Sequence, residues 1–401
     1  MRRASLPLLA ATLPLLLPMD TVHAQQAPRG FEAAWDAVVR DYADRLEREG
    51  IVGSSLAFYQ DGQELAFETR GFADVESGRA VDRETIYHWA SITKTFTSIA
   101  LMQLRDRGLL DLDDPILDYV PELRAVHGPI GRVTLRHLMS HSAGFRSGTW
   151  PWGGDQPWHP YEPTEWSQLV AMFPYTELEF EPGSRWQYSN PGIIFLGRVI
   201  ETLTGEDYET YMEKNVLRPL GMRSAYFDRT PYHLLPHRSN NYFIEAGTRT
   251  ANGVDFDTGI TVSNGGLNAS IPDMARYLAF LVGSAPDATA EAVLARSSLE
   301  EMWREQIRIG QEDGIEQAMG LGYFLPSFQG HGYVGHTGSQ LGFLSFFYLD
   351  PATGAATIAV FNTDGRGAEP RAHTRQVLQE VRADLFGRIF PLFREDGQAR
   401  R

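Results

Sequence analysis

Residues able to form β-strands lie at the two ends of this chain and are nearly missing from its middle. Near the start, "VGSSLAFYQDGQELAFETRGF" (52–72) reads as two strands around a turn at Asp61-Gly62. Near the end, "YVGHTG" (333–338), "GFLSFFYLD" (342–350) and "AATIAVFNT" (355–363) read as a meander, with "DPATG" as the tight turn between the last two. A lone hairpin is marginal in water, and strands this apolar need covering on both faces. The economical solution is one antiparallel sheet built from both termini. Residues 31–48 and 367–388 carry apolar residues at helical spacing and supply helices to flank it. From about 85 to 315 the pattern is mostly helical, broken by proline- and glycine-rich loops. The expected fold is therefore α/β: a sheet part over about 30–85 and 316–395, with a helical lobe over about 86–315 inserted into it. The cleft between sheet and lobe is the natural place for a site.

The first 24 residues read as an address. Arg2 and Arg3 precede the apolar "LPLLAATLPLLLPM", and "VHA" places small residues at Val22 and Ala24, so a secretory signal is expected to be cleaved near Gln25. The run is too short and proline-broken for a membrane anchor, and the residues around the two arginines fit twin-arginine export poorly. The mature chain, 25–401, is expected in the periplasm or outside the cell, and its length suits one large or two interlocked domains. It has no cysteine, which excludes disulfides, a thiol nucleophile and thiolate metal sites. Losing Arg2, Arg3 and Asp20 takes the net charge from −15 to −16, and so acidic a chain repels nucleic acid and anionic lipid. The expected partner is a small-molecule or peptide substrate.

Of 36 basic residues, only Lys94 and Lys214 are lysines. Lys94 lies in "HWASITKTFTSIALMQL", three residues after Ser91, so on a helix the two share a face. A lysine buried among Trp89, Ile92, Phe96 and Ile99 is pushed toward the neutral amine, which can take the proton of a serine nucleophile. In "QYSNPG" (187–192), Pro191 suits the start of a helix with Asn190 as its N-cap, and Tyr188 stands just ahead, where a phenol can relay a proton. In "GHTGSQLGF" (335–343), glycines let a strand edge come close to a ligand. There His336 and Thr337 can hydrogen-bond a substrate carbonyl or carboxylate, and the N–H of Ser339 can face an oxyanion. Each motif taken singly has an ordinary structural explanation. Their joint chance occurrence, in a chain of this composition, is roughly two in a thousand.

Three other features were weighed. His137 and His141 stand four apart in "HLMSHSAGF" without a third ligand and read as packing and hydrogen-bonding residues. Asp111, Asp113, Asp114 and Asp118 do not have EF-hand spacing and read as capping groups. "GTWPWGGDQPWHPYEP" (148–163) is a stiff aromatic loop in which Trp150, Trp152 and Trp158 are suited to wall an apolar pocket, with Trp152 the residue singled out for substrate binding. No metal or organic cofactor is implied, and no G-x-S-x-G elbow is present.

Ser91-Ile-Thr-Lys94, Tyr188-Ser-Asn190 and His336-Thr-Gly338 together resemble the three motifs of the penicillin-recognising serine hydrolases, in particular the class C β-lactamase, DD-peptidase and esterase branch. Connecting segments such as "GLLDLDDPILDYVPEL" and "VTLRHLMSHSAGF" look like that branch too, so the likeness runs over nearly the whole mature chain. The resemblance implies Ser91 as the acylated nucleophile, Lys94 and Tyr188 as proton carriers, and Asn190 on the amide side of the substrate. The motif of His336, Thr337, Gly338 and Ser339 would face it. His336 stands where β-lactamases usually have lysine, and a histidine near pH 7 is only partly charged, which points away from efficient penicillin hydrolysis. An esterase or peptidase for small or D-amino-acid substrates is the first expectation. A β-lactamase or a slowly turning over penicillin-binding sensor is the alternative.

Overall fold

The computed structural model describes residues 27–146, 163–312 and 314–399. Its centre is an antiparallel sheet whose main strands we number in chain order: β1 (Gly53–Gln60), β2 (Gln63–Asp74), β3 (Arg79–Ala80), β4 (Ile307–Glu312), β5 (Ile315–Met319), β6 (Phe324–Phe328), β7 (Val334–Gln340), β8 (Phe343–Asp350) and β9 (Ala355–Phe361). Their order is β3-β2-β1-β9-β8-β7-β6-β5-β4, so β1 pairs with β9 and the two ends of the chain close one sheet. The Asp61-Gly62 turn has both residues at positive φ, 46° and 75°, the geometry that a two-residue hairpin requires.

The strands alternate between two cores. Leu56 and Phe58 of β1, Leu344 and Phe346 of β8 and Phe361 of β9 face one layer, with helix α1 (Phe31–Arg48) and the C-terminal helices. Ala57, Tyr59, Phe347, Ile358 and Val360 face the lobe. Burial on both faces explains why these runs are apolar throughout and could be read without alternation.

Two expectations need correcting. The mostly helical stretch stops before Ile307, not near 315, because β4 belongs to the main sheet. It is an edge strand of mixed polarity, "IRIGQE", without the continuous apolar run that betrays a central strand. The lobe strands also form two small sheets, one of which takes in a C-terminal strand from the sheet part. One joins Ile86–His88, Leu267–Ser270 and Tyr226–Phe227; the other joins Asn241–Glu245, Thr248–Gly253 and Thr363–Gly365. The first fixes the entry to the Ser91 turn: the Trp89 N–H donates to the Leu267 carbonyl at 2.8 Å and its indole to the Ala269 carbonyl at 2.9 Å.

Candidate active site

Ser91 sits in a single 3₁₀ turn, Ala90–Ile92, that leads into helix α2 (Thr93–Asp106). Ala90 is held at φ +50°, a left-handed conformation uncommon for a residue with a side chain. Strained turns of this kind gather at functional sites. One helical turn on, Lys94 is fully buried, and its Nζ lies 3.0 Å from the Ser91 hydroxyl and 2.8 Å from the carbonyl of Asn264. Burial alone pushes the Lys94 amine well below its ordinary 10.5, toward the neutral form.

Tyr188 closes the third side. It hydrogen-bonds Ser91, its ring lies 5.0 Å from Lys94 Nζ, and burial pushes its hydroxyl upward, so the phenol keeps its proton. Tyr188 precedes helix α3 (Asn190–Thr204), whose cap is Ser189 and not Asn190 as expected. The Ser189 hydroxyl accepts from the Gly192 N–H at 3.3 Å. Asn190 is thus the first helical residue, released from capping, and it lines the cavity with Ser91 and Tyr188.

The fourth side is β7. Its partner β6 meets it only at Phe324 opposite Gly335, so the stretch beyond runs as an edge strand past Ser91. Thr337 and Ser339 line the cavity, whose volume is about 750 Å³. Gly338 serves a different end from the one expected. A Cβ there would lie 2.3 Å from the Trp89 carbonyl and 2.4 Å from Ser345 Oγ, so the missing side chain lets β7 close on the nucleophile turn rather than on a ligand. Gly338→Val is expected to cost about 1–3 kcal/mol of stability in denaturant unfolding, with activity falling as well, because the obstacle is backbone.

His336 also departs from expectation. It is fully buried, its ring 4.7 Å from that of Phe324, and its Nδ1–H donates to the Thr337 carbonyl at 2.6 Å. Burial, the largest cause, pushes it down to about 3, so at pH 7 it is neutral and not partly charged. The sequence reading passed over two contributors. Asn264 holds Lys94 through its backbone carbonyl, which leaves no signature in the sequence, while its side-chain amide donates to the Asn190 carbonyl at 3.5 Å. Arg375, on helix α4 (Ala368–Asp384), donates through Nη2 to Ser339 Oγ at 3.1 Å and stands at the cavity wall. Trp152, like Trp150 and Trp158, lies outside the described residues.

The profile described as Beta-lactamase matches residues 35–382. The chain belongs to the β-lactamase family. Among curated relatives, esterase EstB of Burkholderia gladioli is 32% identical over 209 residues, 49% of this chain and 51% of that protein. The chain thus spans about half the length of this curated relative. Among solved structures, the octameric penicillin-binding protein homologue from Pyrococcus abyssi superposes with a TM-score of 0.71 at 26% identity, over 86% of this chain and 77% of that one. A D-stereospecific amidohydrolase from Streptomyces does so with a TM-score of 0.66, also at 26% identity, over 86% and 97%. Among the described residues no helix is long and apolar enough to cross a membrane, and no cluster of three or more metal-binding side chains occurs.

Proposed function

We propose that the protein is an exported serine hydrolase that cleaves an ester or amide, including D-amino-acid peptides, through an acyl-enzyme on Ser91. The observation that carries this reading is the buried Lys94 amine, 3.0 Å from Ser91 Oγ and held toward its neutral form by burial. A neutral amine there takes the Ser91 proton as Oγ attacks the carbonyl. The phenol of Tyr188 passes its proton to the departing alcohol or amine and regains one from Lys94. The N–H groups of Ser91 and Ser339 are the donors for the tetrahedral oxyanion. Water then repeats the sequence on the acyl-enzyme, and Asn190 and Thr337 hold the substrate. Residues 1–24, which lie outside the described residues, carry the export reading by their pattern alone.

A neutral His336 supplies no permanent cation for a lactam carboxylate, which favours ester or amide substrates over efficient β-lactam hydrolysis. The likeness to an esterase and to a D-stereospecific amidohydrolase supports the same choice. Intact-mass labelling with a fluorophosphonate and, separately, with a penicillin is the test. One fluorophosphonate adduct mapped to Ser91, with sustained ester turnover, is the expected result. One rapid equivalent of product followed by nothing indicates a sensor, and fast penicillin turnover indicates a β-lactamase. An adduct elsewhere overturns the assignment.

Two arginines, Arg375 and Arg382, line the cavity wall, and Arg375 hydrogen-bonds Ser339 and makes no ion pair among the described residues. Arg375→Glu is expected to lower kcat/KM for an ester bearing a carboxylate about tenfold relative to its neutral counterpart, since one like charge replaces one opposite charge across the cleft. Paired kinetics on the two esters read this directly.

A further inference from the structure

We infer that His141 is the positioning residue for Tyr188, fixing the phenol against Ser91 from behind through the two peptide units that flank it. The inference rests on the proton-relay reading of Tyr188 given above. His141 is buried, and its imidazole packs on the Tyr188 ring with centroids 4.5 Å apart and planes at 34°. Its backbone carbonyl accepts the N–H of Gln187 at 2.8 Å. Its Nδ1 accepts the N–H of Ser189 at 3.2 Å. One residue, far away in sequence, thus holds the chain just before Tyr188, just after it, and the ring between. To do so it adopts φ +55°, a conformation that histidine and asparagine accept more readily than apolar residues.

These contacts also set the tautomer. Because Nδ1 receives a hydrogen bond, the ring proton of His141 is on Nε2. His336, whose ring centroid lies 6.5 Å from that of Tyr188, is the reverse: its Nδ1–H donates to a carbonyl and its Nε2 keeps a lone pair. Both Nε2 atoms are buried without a partner among the described residues. One phenol is therefore flanked by an imidazole donor and an imidazole acceptor, each fixed by backbone. The groups facing His141 are Lys94, Tyr188 and His336, and burial among them holds its imidazole well below the ordinary 6.5. A protonated His141 would present a donor to the Ser189 N–H and break the clamp.

The test compares two variants of the full chain with the wild type on a short-chain p-nitrophenyl ester. His141→Phe keeps a ring against Tyr188 but loses the Nδ1 acceptor. His141→Asn keeps an acceptor where Nδ1 stands and tolerates the positive φ. The expected result is a kcat about 100-fold lower in His141→Phe, with KM within about twofold, and recovery of at least tenfold of that loss in His141→Asn. Melting temperatures taken alongside separate this from general damage. Equal losses in both variants, losses that track melting temperature, or kcat within twofold of wild type in His141→Phe each overturn the inference. A wild type whose Ser91 takes no fluorophosphonate would instead remove the underlying relay.

Discussion

Ser91→Ala is expected to lower kcat for any ester or amide substrate by at least about 10⁴-fold, with little change in melting temperature. Removing a nucleophile is damaging in any enzyme, but here the neighbourhood shows why nothing replaces it. Two neighbouring serine hydroxyls are engaged elsewhere: Ser189 Oγ caps helix α3 through the Gly192 N–H, and Ser339 Oγ accepts from Arg375. Neither has a buried amine beside it. The stability expectation follows from the partners left behind. Lys94 keeps the Asn264 carbonyl at 2.8 Å, and a neutral amine that loses one of two hydrogen bonds costs about 1 kcal/mol. Steady-state kinetics with thermal unfolding check both halves. Residual turnover within about a hundredfold of wild type would mean that another group attacks the substrate.

The sheet and the nucleophile turn could be read from the sequence for the same reason: each rests on a local pattern with few competing solutions. Apolar runs that end at Asp61-Gly62 or at "DPATG" can only be strands of a covered sheet, and their location at both termini forces closure. The edge strand β4 has one weakly covered environment and no such run, so it was absorbed into the helical stretch. At the site, side-chain identity was legible but state was not. Whether His336 carries charge depends on how deeply it is buried, which no spacing encodes. Gly338 was recognised as a close-approach position, but the group it approaches, the Trp89 carbonyl, lies far back in the chain. Asn190 and Ser189 are both good caps, and only the extended backbone at Ser189 decides between them. His141 read as a packing residue because its function runs through two peptide groups of another segment.

Lys94→Arg is expected to reduce kcat about a thousandfold, although the chain uses arginine at 34 of its other basic positions. A guanidinium remains protonated under all conditions a folded protein meets, so it cannot accept the Ser91 proton. It is also larger and would sit fully buried with one carbonyl and one hydroxyl as partners. Retaining charge therefore costs both chemistry and stability, and the melting temperature is expected to fall. Lys94→Met separates the two effects: as inactive as Lys94→Arg, but at least as stable as wild type near neutral pH. The sign follows from linkage. The folded chain holds Lys94 below 10.5 while the unfolded chain does not, so between those two values the unfolded state binds more protons and stability rises with pH. That rise should be present in wild type and weaker in Lys94→Met, as thermal unfolding across neutral to alkaline pH would show. Should Lys94→Arg keep activity within tenfold of wild type, the neutral amine is dispensable, and Tyr188 alone must be able to take the proton of Ser91.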